Sequence, residues 1–156
     1  MFDKLNEKRI YLDAIFCGLV ASLISLAYVV ILQFTLNEVF DGSVLLFICI
    51  FSPGILLTIY SALKGLVPGL VAFIEWIVLF FIICAVFSWF DFGLAVNLGA
   101  TVSLVFGIIN LFPLISSVAA GLITTLSRKR IIALIAGLSI LIACNIIVFT
   151  SLGSAF

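Results

Sequence analysis

Five apolar runs, at 11–34, 43–63, 67–90, 94–126 and 131–150, are separated by short polar turns. A membrane helix needs about 20 consecutive apolar residues, because its backbone N–H and C=O groups find no water in the hydrocarbon and must bond within the segment. Runs of this length and number constrain the chain to an all-α, polytopic transmembrane helical bundle. Residues 1–156 form a single integral membrane domain on this reading. Composition agrees: 66% of residues are hydrophobic and 9% charged, against about half and about a quarter in soluble domains. A nucleic-acid binder, a disordered segment and a secreted disulfide scaffold are excluded by the same figures.

The charges set the orientation. With five crossings and a cytoplasmic N-terminus, all seven basic residues fall on the cytoplasmic side: Lys4, Lys8, Arg9, Lys64, Arg128, Lys129 and Arg130. Glu38, Asp41 and Asp91 fall on the other side. Such separation is the positive-inside pattern, and it places the C-terminus outside. Tyr11 and Tyr60 then sit at the inner boundary and Trp89 at the outer one; Trp76 lies deeper. The segment before residue 10 is followed by an apolar run too long for a signal sequence, so the first run is expected to be a retained span in a cell (plasma or inner) membrane.

The fourth span stands apart. The stretch 93–126 holds 34 residues, about 51 Å as straight helix against a hydrocarbon core near 30 Å. It is expected to be either one overlong span broken near Pro113 or a span followed by a short interfacial or re-entrant helix. The runs FICIFSP (47–53) and GIINLFP (107–113) also resemble each other at an offset of 60 residues. That offset suggests a parallel repeat of spans two and three in spans four and five.

Small residues recur at spacings of four, as in Ala14-Gly18-Ser22, Gly54-Thr58-Ala62 and Ala95-Gly99-Ser103-Gly107. This spacing keeps them on one helix face, where backbones approach closely without a hydrophobic driving force. After Pro113, residues Ser116, Ser117, Ala120, Gly121, Thr124 and Thr125 form a small, hydroxyl-bearing face. Such a face either packs against neighbouring helices or lines a polar cavity.

Glu75 is the one acid well inside a span, about 10 Å of helix rise beyond Pro68. A carboxylate there is a candidate functional group by default. Asn110 is expected at similar depth, and Lys64 is expected to reach towards both. Gln33, Asn97 and Asn145 form a possible second polar layer nearer the outer surface.

There is no histidine, and Cys17, Cys49, Cys84 and Cys144 all lie in apolar runs with no C-x-x-C pair. No metal or other cofactor is expected, and no nucleophile elbow, phosphate loop or zinc motif marks an enzyme. The sequence therefore predicts a small non-catalytic protein that acts by helix packing. It would be an accessory or structural subunit of a membrane assembly, or a homo-oligomer, with the lipid bilayer and other membrane chains (or itself) as partners and no nucleic acid. The alternative is a small transporter or channel with an intramembrane polar layer of Glu75, Asn110 and Lys64, and with Ser117 and Thr124 as further binding groups.

Overall fold

A computed structural model describes the backbone of residues 2–35, 42–89 and 100–153, and the side chains of 8–27, 51–82, 111–147 and Thr150. The described residues form five α-helices and no strand: α1 Phe2–Thr35, α2 Gly42–Lys64, α3 Leu66–Trp89, α4 Ala100–Ser127 and α5 Arg130–Gly153. The apolar runs set four of these within a few residues at most ends. Helix α1 starts nine residues before its apolar run because Lys, Leu and Glu in the first turns are good helix formers.

The expected break near Pro113 is absent. Helix α4 runs through that proline, as α2 runs through Pro53. A proline removes one backbone donor and crowds the preceding turn, and packed neighbours can hold the helix together around it. Here both rings are fully buried. Pro113 lies against Gly54 of α2, where a Cβ would come within 3.1 Å of its Cγ. A flat glycine surface thus receives the ring that would otherwise push the two helices apart.

Two hairpins share one construction. Helix α2 ends at Gly65, whose N–H donates to the Ser61 carbonyl at 2.8 Å with φ +98°. Helix α4 ends at Arg128, whose N–H donates to the Thr124 carbonyl at 3.0 Å with φ 55°. Both are left-handed caps of the kind that glycine favours, the second made by an arginine. The two helices run side by side in the same sense, since Gly54 meets Pro113, Thr58 meets Ser116 and Ala62 meets Thr124.

Packing order follows from these contacts. Helices α2 and α4 form the central pair, with α3 and α5 on their flanks. Helix α1 packs parallel to α3, with Gly18 against Ala72 and Ser22 against Trp76, and also touches α2; among the described residues it touches neither α4 nor α5. Hence α1, α3 and α5 run one way, and α2 and α4 the other. The Asp13–Lys64 contact and the Leu66–Thr125 hydrogen bond bring the start of α1 and both hairpin turns to one end. Lys8, Arg9, Lys64, Arg128, Lys129 and Arg130 therefore share that end.

Small hydroxyl residues share the interior with Leu57, Trp76 and Leu141, and large apolar side chains lie on the surface. Ser25, Thr58, Ser61 and Ser116 are fully buried, while Leu12 and Phe16 are 67% exposed. Measured over residues with described side chains, Lys8–Ala27 and Arg130–Ile147 are long and apolar enough to cross a membrane, and Leu66–Ile82 and Leu111–Ser127 are shorter apolar helices.

Candidate functional site: a hydroxyl-bonded interior and the Glu75 carboxylate

The small face of α4 is turned onto α2 and bonded to it at three levels. Thr58 Oγ1 donates to the Gly54 carbonyl at 2.7 Å and lies 2.8 Å from Ser116 Oγ, which reaches the Pro113 carbonyl at 3.0 Å. The two hydroxyls thus share two protons among carbonyls and each other. One turn further, Ser61 Oγ donates to the Ser117 carbonyl at 2.6 Å. At the end, Thr124 Oγ1 donates to the Ala62 carbonyl at 2.6 Å, and Thr125 Oγ1 accepts from the Leu66 N–H at 3.1 Å.

Ser61 is the point where three helices converge. Its side chain touches the position that a Cβ on Gly69 of α3 would occupy, and lies 2.6 Å from where one on Gly121 of α4 would stand. Only glycine at both places lets the helices close on that hydroxyl. Ser61 escaped the sequence reading because it lies three residues from Thr58, off the spacing of four. Its signal was a polar residue beside a small-residue stripe.

The expected site residues are distributed rather than gathered. Ser117 is buried; its carbonyl serves Ser61, and its Oγ has no hydrogen-bond partner among the described residues. Thr124 is bonded to α2 as above. Lys64 does not turn to Glu75: its Nζ lies 3.3 Å from Asp13 Oδ2 of α1, both side chains being more than 40% exposed. The reason is lateral placement, since α1 sits beside the end of α2 and offers a carboxylate near the water. Asn110 belongs to α4, but its side chain lies outside the described residues, as do those of Gln33 and Asn97. Asn145 is buried and donates to the Leu141 carbonyl of its own helix at 2.6 Å. Cys17 is buried and Cys144 half-buried, both as free thiols; Cys49 and Cys84 lie outside the described residues.

The α1–α3 seam has a different chemistry. Ser22 Oγ contacts the Gly18 and Trp76 carbonyls at 2.9 and 3.2 Å, and Trp76 Nε1 donates to Ser25 Oγ at 3.1 Å. Trp76 is buried, with Phe73 packed edge-on at 5.6 Å between ring centroids. This bond explains why an indole lies so deep: its N–H has a partner and its rings fill the core.

Glu75 borders this seam. Its Cβ and Cγ fall 2.7 and 3.0 Å from the position a Cβ on Gly18 would take. The side chain is partly exposed, and Val78 and Ile82, which follow it at helical spacing on α3, are exposed. Among the described residues, no hydrogen-bond donor or cation contacts its carboxylate. No group of three or more His, Cys, Asp or Glu side chains that could hold a metal occurs there either.

Compared with known proteins, the chain matches no family model, no curated sequence and no solved structure.

Proposed function

We propose that the chain is an integral membrane protein of five crossings that acts by helix packing, as a non-catalytic accessory or structural subunit of a larger membrane assembly. The N-terminus and all the basic residues lie on the cytoplasmic side of a cell membrane. One observation carries the functional reading: on the small face shared by α2 and α4, the described hydroxyls of Thr58, Ser61, Ser116 and Thr124 are bonded from helix to helix, and that of Ser117 is not. All four join α2 to α4. In a bilayer, where apolar burial no longer drives helices together, small residues and such bonds are the principal adhesives.

The surface supports the crossings. Exposed Leu, Ile, Val and Phe cover the outward faces of α1, α3 and α5, and the basic residues cluster at one end as the positive-inside rule requires. Helix α4, with 28 residues, is about 42 Å long, and tilt or overhang into the headgroups accommodates the excess over the core. The alternative of a transporter is weakened because Lys64 is engaged by Asp13 and Thr124 by Ala62.

Purification in a gentle detergent followed by native mass spectrometry tests the proposal. A stoichiometric complex with an unlike membrane chain is expected. A purified monomer that by itself moves a solute across proteoliposomes would overturn it.

A further inference from the structure

Glu75 poses a chemical problem that the described residues do not solve. It lies about 10 Å of helix rise beyond Pro68, and its carboxylate has no hydrogen bond or ion pair among the described residues. An ionised carboxylate at that depth is costly without a partner. All basic residues of the chain are Lys4, Lys8, Arg9, Lys64, Arg128, Lys129 and Arg130. Each lies at a helix end or in a turn, and Lys64, the nearest in level, is engaged by Asp13 at 3.3 Å.

The same census bears on a second copy. A parallel copy in the same bilayer brings its basic residues to the same end, and none to the level of Glu75. A homo-oligomer therefore leaves this carboxylate as it is. A lysine or arginine at that level belongs to a different chain, since those of this one lie at helix ends and turns.

The surroundings suit a helix. Glu75 stands at the rim of the α1–α3 seam, where Gly18 leaves the space that its carbons occupy. Exposed Ile74, Val78 and Ile82 of α3 continue from it as an apolar surface. An approaching membrane helix would cover that surface and set one side chain against the carboxylate.

We infer that Glu75 and the exposed face of α3 dock a transmembrane helix of an unlike subunit, one that carries a lysine or arginine about 10 Å inside its cytoplasmic end. This rests on the five-crossing subunit reading above and names the chemistry of its partner. In the assembly, the pair fixes the depth and the rotation of the incoming helix.

The test uses the full chain with a fluorophore at its C-terminus, reconstituted in phosphatidylcholine vesicles. The probes are labelled helical peptides of leucine and alanine, about 23 residues long. One bears a single lysine about 10 Å from its inner end, and the other leucine at that place. Energy transfer reports association, and flotation reports whether the chain resides in the vesicles. The lysine peptide is expected to bind about tenfold tighter than the leucine peptide, and Glu75→Gln to abolish the difference. Glu75→Lys should reverse the preference towards a peptide bearing glutamate. Equal binding of the two peptides to wild-type chain that floats with the vesicles would overturn the inference and leave the five crossings standing. Failure of the chain to float would overturn both.

Discussion

The α2–α4 seam and the α1–α3 seam are both parallel helix pairs closed on glycine, yet they are held by different means. Between α2 and α4, glycines and hydroxyls meet in register: Gly54 with Pro113, Thr58 with Ser116, Ser61 with Ser117 and Gly121. The bonds across that seam are made by neutral hydroxyls and carbonyls. Between α1 and α3, one large ring and its N–H do much of the joining, and a carboxylate borders the contact. The first seam is self-sufficient. The second is bonded on its buried side, and on its outer side the Glu75 carboxylate has no partner among the described residues. The proposed docking surface lies there, at the rim of α3.

Substitutions sharpen this contrast. The largest effect is expected from Ser61→Leu, because a branched side chain must enter a space bounded by Gly69 and Gly121. A loss of at least about 3 kcal/mol is expected, seen as failure to resist denaturing detergent in circular dichroism. Next comes Gly18→Leu, which forces α1 away from the Ala72 carbonyl and from Glu75, at about 2 kcal/mol. Alkylation of buried Cys17 should quicken in this variant, and the α2–α4 seam should persist.

Thr58→Val keeps the shape and removes the hydroxyl shared with Ser116. A loss of about 1 kcal/mol is expected, measured by the same unfolding titration. A loss no larger than that of Thr150→Val, whose hydroxyl bonds only within α5, would show that the seam does not depend on its hydroxyls. The smallest effect belongs to Asp13→Asn. Its ion pair with Lys64 is more than 40% exposed on both sides, so a change within about 0.5 kcal/mol is expected, shrinking further in salt.

Much of the fold was legible in the chain. Apolar runs bounded by TLNEVFDG (35–42), Lys64-Gly65 and Arg128-Lys129 mark helix ends because nothing else in the sequence competes with them. The continuity of α4 was not legible. Whether a proline breaks a helix depends on what faces it, and Gly54 stands 59 positions away. The Lys64 partner was hidden for the same reason: the sequence gives depth along a helix, but not which helix lies beside it. Depth alone put Lys64 near Glu75, and the lateral position of α1 gave it to Asp13. The hydroxyl face after Pro113 was legible as a face, and only the packing of α2 against it decided between adhesive and cavity. Glu75 was legible as the lone deep acid, and its placement beside Gly18 adds why that position is open to a neighbour.

In the proposed topology each of the five helices crosses the bilayer. Epitope tags at the two ends of the full chain, probed by protease in sealed vesicles of known orientation, test it most directly. Five crossings put the two tags on opposite sides, and the basic residues put the N-terminal tag on the cytoplasmic one. Both tags on the same side would contradict it.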